Sequence, residues 1–121
     1  MNRSRWKELA VLAGLVALFW GGAQWIGGRQ AASEGQVLRE LARPGDILML
    51  SSTTCVFCKR ASAWLVEQQV PHRECFIERD AACLAEYQAR GARGTPTFVV
   101  RGQTLLGFDP QRMRAILRPP A

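Results

Sequence analysis

The sequence has one histidine, one tyrosine and no charged residue between Leu9 and Ile26. The histidine, His72, follows Pro71 in a stretch that reads as solvated loop. No histidine or methionine cluster stands beside the cysteines, so thiolates are the only soft ligands a metal would find. Internal repeats and low-complexity tracts are also missing. The net charge of +6 comes without any block of basic residues interleaved with aromatics. Arg3, Arg5, Lys7 and Arg29, set against Glu8, carry half of it, and the remaining charges alternate in sign along the chain. That distribution argues against a nucleic-acid partner.

The uncharged stretch has a direct physical reading. Three bases precede Leu9, and from there to Ile26 only Gln24 and a few glycines interrupt apolar side chains. As a helix this run measures ~27 Å at ~1.5 Å per residue, just enough for a hydrocarbon core of ~30 Å. Trp6 at one end and Trp20 and Trp25 at the other suit the two interfaces. Residues 1–28 are therefore expected to be an anchor, contacting the membrane through residues 9–26, or a signal segment cut ahead of Gln24 after the small residues Gly21 and Ala23. In either case the leading bases stay inside, which places the rest of the chain on the periplasmic, extracytoplasmic side of a cytoplasmic (inner) membrane crossed once.

Residues 29–45 read as a linker and short helix. Gly27 to Ser33 is the linker, and Ser33 with Gln36 forms a capping box for Val37, Leu38, Leu41 and Ala42 at helical spacing. Pro44-Gly45-Asp46 is a turn into Ile47–Leu50, an apolar run of the kind buried on both faces. A helix follows to about Gln69, then a strand over Arg73–Ile77. Asp80 caps a helix to about Arg90 with Leu84 and Tyr87 on its buried face. Phe98-Val99-Val100 and Thr104-Leu105-Leu106 pair across a turn at Arg101-Gly102-Gln103. Asp109 and Pro110 open a last helix with Met113, Ile116 and Leu117 as its apolar stripe. The expected order after the leading helix is β-α-β-α-β-β-α.

Cys55 and Cys58 sit between the first strand and its helix. Cys55 falls at the helix N-terminus, where unpaired N–H groups and the macrodipole favour an anion, here a thiolate. Such surroundings draw a cysteine pKa from ~8.5 into the range ~3.5–7.5. A structural disulfide or half of a zinc site are the alternatives, but a CxxC loop is too small to constrain the unfolded chain much. Strand, CxxC and helix together read as a redox site.

From Asp46 to Leu117 the chain resembles the thioredoxin fold, and most closely its glutaredoxin branch. The likeness rests on Cys55-Val56-Phe57-Cys58 after the first strand, Thr95-Pro96 before the third, and Gly107-Phe108-Asp109 before the last helix. It implies an α/β fold with a four-stranded mixed sheet flanked by helices over residues 46–121, preceded by the apolar helix. By the same resemblance Cys55 is the attacking thiol and Cys58 the resolving thiol. Thr95 with a cis Pro96 forms the substrate ledge, and Asp109 is a further substrate contact. Glutaredoxins resemble one another in a lysine three residues before the first cysteine and in two glycines after the last strand. Here Ser52 and Leu106-Gly107 stand there, so glutathione dependence is not implied. Thioredoxins share a buried aspartate where this chain has Met49.

Cys75 in the second strand and Cys83 in the second helix read as a structural disulfide if the domain is exported. A relay role and two unrelated buried thiols are the alternatives. The function expected is a thiol–disulfide oxidoreductase acting outside the cytoplasm on protein or small-molecule thiols and disulfides, with no metal or organic cofactor. The rival is a membrane-tethered metal-binding or assembly module that uses the same cysteines.

Overall fold

In a computed structural model of the chain, which describes residues 2–120, eight elements follow one another. They are α1 (Arg3–Leu41), β1 (Ile47–Ser51), α2 (Val56–Glu67), β2 (Arg73–Phe76), α3 (Ala81–Ala89), β3 (Thr97–Val100), β4 (Gln103–Leu106) and α4 (Pro110–Leu117). The chain divides into two compact units between Ser33 and Glu34.

The first unit is helix alone. α1 is long and apolar enough to cross a membrane. Leu18, Phe19 and Trp20 along it are all exposed. The Arg29 guanidinium lies 3.8 Å from the centre of the Trp25 ring, one turn back, so a cation and an aromatic mark the end of the apolar run together. The linker expected over Gly27 to Ser33 is helical instead, and Ser33 lies within α1 rather than capping a new helix. Two glycines cost a helix about 1 kcal/mol each, but Arg29, Gln30, Ala31 and Ala32 directly after them are strong helix formers.

The second unit is a mixed sheet in the order β2-β1-β3-β4, with β1 parallel to β2 and antiparallel to β3. Alternation along the strands sends side chains to two faces. On one, Ile47, Met49, Phe98, Val100 and Leu105 pack with Ala61 and Leu65 of α2, Met113 and Leu117 of α4, and Leu38 from the end of α1. On the other, Leu50 and Val99 pack with Cys83, and Leu48, Cys75, Ile77 and Tyr87 close the edge. Leu84, expected on the buried side of α3, faces solvent; Cys83 takes its place, one residue round the helix.

Local signals set the boundaries. β3 and β4 join through Arg101 and Gly102, both at positive φ (46° and 81°), which gives a two-residue hairpin turn with the twist the strands need. Asp80 accepts the amides of Ala82 and Cys83 at the start of α3, and Asp109 accepts that of Arg112 at the start of α4, where Pro110 follows. Before β1, Asp46 accepts the amide of Arg43 at 2.9 Å and the guanidinium of Arg101 at 3.1 Å. The Arg101 hydrogen bond, then the Arg43 amide, hold the Asp46 carboxyl below its ordinary range.

Candidate active site

The central strand delivers the chemistry. β1 ends at Ser51, buried between β2 and β3, and four residues later the chain enters α2 with Cys55 as its N-cap. Cys55 is extended (φ −91°, ψ 110°), the conformation that turns a cap side chain back over the first turn. Its sulfur accepts the Cys58 amide at 3.1 Å. A sulfur there meets the unpaired N–H groups of a twelve-residue helix, the arrangement that stabilises a thiolate. Cys55 and Cys58 form a disulfide with their α-carbons 5.2 Å apart. Cys55 is half-buried and Cys58 is 1% exposed, so an incoming molecule reaches the first sulfur before the second.

Thr95 and Pro96 lie on the other side of that sulfur. The peptide bond between them is cis, and the Thr95 carbonyl oxygen lies 3.4 Å from Cys55 Sγ. Gly107 donates its amide to the Pro96 carbonyl at 2.8 Å, tying the start of β3 to the end of β4. Together they edge a groove of about 550 Å³. Its walls are mostly apolar: Phe57, Trp64, Pro96, Leu106 and Phe108, with Arg60 as the cation. Trp64 and Phe108 meet edge to face at 5.3 Å. Phe57 and Leu106 are 69% and 61% exposed, so the apolar surface continues past the groove toward solvent.

Four of the residues singled out from sequence, Cys55, Cys58, Thr95 and Pro96, are thus neighbours. Asp109 is not among the groove residues; its carboxylate is taken up by the cap of α4. Cys75 and Cys83 form a second disulfide, with α-carbons 6.0 Å apart, on the opposite face of the sheet. Among the described residues no cysteine is free, and no cluster of three or more His, Cys, Asp or Glu is arranged for a metal.

Sequence reasoning missed two features here. The groove's aromatic walls come from α2 and the β4–α4 connection: Trp64 reads locally as core, and Phe108 stands in the sequence only as part of the Gly107-Phe108-Asp109 likeness, with no wall role attached. Glu78, in the β2–α3 loop, accepts the Ser52 hydroxyl with one carboxylate oxygen and the Thr53 amide, at 3.2 Å, with the other. The Ser52 hydrogen bond is the main reason its carboxyl is held below the usual range. Met49 is fully buried among apolar side chains, and the Ser51 hydroxyl, also buried, has no hydrogen-bond partner among the described residues.

The sequence model of the glutaredoxin family matches residues 47–105. Among solved structures the chain is similar to the thioredoxin-like protein BC3987, at 22% identity and a TM-score of 0.51, over 58% of this chain and 97% of that one. A point variant of the same protein gives 23% identity and a TM-score of 0.54, over 60% and 95%. A glutaredoxin from Methanosarcina mazei Go1 gives 21% identity and a TM-score of 0.50, over 60% and 78%. At these identities the likeness shows the fold, which is that of the thioredoxins and glutaredoxins. Among curated proteins none matches this sequence.

Proposed function

We propose, from the premise that residues 47–105 carry a glutaredoxin-family domain with its CxxC pair, that the protein is a membrane-tethered thiol–disulfide oxidoreductase working outside the cytoplasm. The observation that carries the proposal is the placement of Cys55. It caps α2, accepts the Cys58 amide, and lies between that helix and the Thr95–Pro96 edge of an apolar groove.

In the reducing direction, the Cys55 thiolate attacks one sulfur of a substrate disulfide. A mixed disulfide forms, and the other substrate sulfur leaves as a thiolate that takes up a proton. Cys58, deprotonated, then attacks Cys55 Sγ; the enzyme disulfide closes and the second substrate thiol leaves. Two electrons pass from the enzyme dithiol to the substrate, and the oxidising direction is the same sequence in reverse. The buried position of Cys58 suits a thiol that acts only after Cys55 has been engaged. Thr95 and Pro96 are assigned to the substrate ledge, and protein or small-molecule disulfides are the substrates. Asp109 is assigned a substrate contact that is secondary to its cap of α4. Ser52, where glutaredoxins resemble one another in a lysine, is engaged by Glu78, and no glutathione dependence is proposed.

The Cys75–Cys83 disulfide is assigned a structural role, and its presence supports an oxidising compartment. Residues 1–28 are proposed as the anchor, uncleaved or cut as a signal, residues 29–45 as the connection, and residues 46–121 as the catalytic domain. The bases before Leu9 support the extracytoplasmic placement. The test is direct. Cys55→Ser abolishes reduction of insulin and oxidation of a model dithiol, whereas Cys58→Ser accumulates mixed disulfides on Cys55. Unchanged activity in Cys55→Ser overturns the proposal.

A further inference from the structure

The β2–α3 loop hydrogen-bonds to the redox loop through Glu78. β1 and β2 run parallel with Ser51 opposite Phe76, and the Ile77 amide adds one more bond to the Ser51 carbonyl at 3.0 Å. The two chains therefore leave the sheet side by side, and Glu78 arrives next to Ser52 and Thr53. Its loop is held at both ends. The Phe76 carbonyl accepts the amides of Arg79 and Asp80, Asp80 caps α3, and the Cys75–Cys83 disulfide closes the base.

The direction of the hydrogen bonds follows from chemistry. An ionised carboxylate only accepts, so the single proton of the Ser52 hydroxyl goes to Glu78. Ser52 Oγ is then an acceptor toward the next residues: the Thr54 amide lies 3.5 Å away and the Thr54 hydroxyl 3.4 Å. The Thr53 amide goes to the second carboxylate oxygen. One residue further, the Cys55 amide donates to the Ser52 carbonyl at 3.3 Å. The Ser52 and Thr54 hydroxyls and the amides of Thr53, Thr54 and Cys55 all belong to this network, which begins at Glu78.

We infer that Glu78 is a positioning residue for Cys55: by accepting Ser52 and Thr53 it fixes the turn that holds the attacking sulfur over the first turn of α2. The inference rests on the functional reading above, in which Cys55 is the nucleophile. Glu78 touches no reacting atom, and its effect passes through Ser52. Lys59 and Arg79 line a polar cavity of about 510 Å³ with Ser52, Thr53 and Glu74. Removing the Glu78 charge alone therefore leaves both cations and one carboxylate in place, and Ser52→Ala separates the two effects because it breaks the network without changing charge.

The test uses the full chain in detergent micelles, mildly reduced, with iodoacetamide as probe and mass spectrometry to read labelling at Cys55. Ser52→Ala and Glu78→Ala each slow labelling about tenfold at fixed neutral pH, as losing a charge-assisted hydrogen bond allows. In each, the pH of half-maximal labelling moves up, because the sulfur leaves the helix N-terminus. The double variant matches either single one, since both cut the same network. Ser52→Thr, which keeps the hydroxyl, restores the wild-type profile, a rescue that a merely structural defect does not show. Glu78 is exposed, so Glu78→Ala keeps the fold even where a change at Ser52 does not. A labelling profile in Glu78→Ala within twofold of wild type overturns the inference, as does a double variant that loses the product of the two single effects. The labelling assay does not depend on turnover. A wild-type protein that shows the expected series yet exchanges no disulfide overturns the functional reading and leaves the placement of Cys55 intact.

Discussion

Removing the Cys75–Cys83 disulfide is the perturbation whose size follows most directly from the chain. The two residues are 8 apart in sequence, and the bond closes a loop of about nine residues when its ends are counted. In the chain-entropy treatment such a loop costs the unfolded state about 9 cal/mol/K, or about 2.6 kcal/mol at 25 °C. Cys75→Ala with Cys83→Ala loses that constraint. It also loses a little packing, because Cys83 is 4% exposed and contacts Leu50 and Val99. The α-carbons stay near their places, since β2 is bonded to β1 through four residue pairs and Asp80 caps α3 independently. The expected result is a loss of about 2–3 kcal/mol. A domain of this size shifts by roughly 4–8 °C per kcal/mol, so the melting temperature falls by roughly 10–20 °C. The assay is thermal unfolding of the full chain in micelles, with Cys55–Cys58 kept oxidised in both proteins. Near-UV circular dichroism follows it, because Trp64 packed edge-on to Phe108 supplies a signal from the folded unit. A shift under about 3 °C refutes the assignment of this bond as a staple.

Two further outcomes are expected. Asp46→Asn removes the ion pair with Arg101, whose partners keep 19% and 37% of their side-chain surface; the screened pair contributes under about 1 kcal/mol. The folded-state pKa of Asp46 is lowered, so that contribution is present above the ordinary value of 3.8 and lost as pH falls through the lowered one. Urea midpoints of the variant and wild type therefore differ at neutral pH and converge under strong acid, and a difference that grows toward low pH contradicts the account. A C-terminal fusion to a reporter active only outside the cytoplasm is active, while one active only inside is silent; the reverse pair removes the extracytoplasmic placement.

What could be read from the sequence alone follows from the range of each interaction. The CxxC at a helix N-terminus, the caps Asp80 and Asp109-Pro110, and the turn at Arg101-Gly102 are all signals carried within a few residues, and each stands where its chemistry puts it. The features that escaped depend on residues distant in sequence or on a balance between neighbours. Gly27-Gly28 reads as a break only until the helix formers after it are weighed, and α1 runs through. Leu84 has the right spacing for a buried face, yet Cys83 is held inward against Leu50 and Val99, and Leu84 is turned toward water. Glu78 is an exposed acid in a polar loop, 26 residues from Ser52. Only the parallel register of β1 and β2, with Ser51 opposite Phe76, brings the two together. The same register sets the position of the second disulfide, since Cys75 pairs with Leu50 one step before the strand ends. A parallel pair thus carries Cys55, the proposed nucleophile, out of one strand and the loop that bonds its turn out of the other. A helix cap alone therefore gives too little account of how Cys55 is placed: two of the five hydrogen bonds described for the turn end on Glu78, on β2's side of the pair.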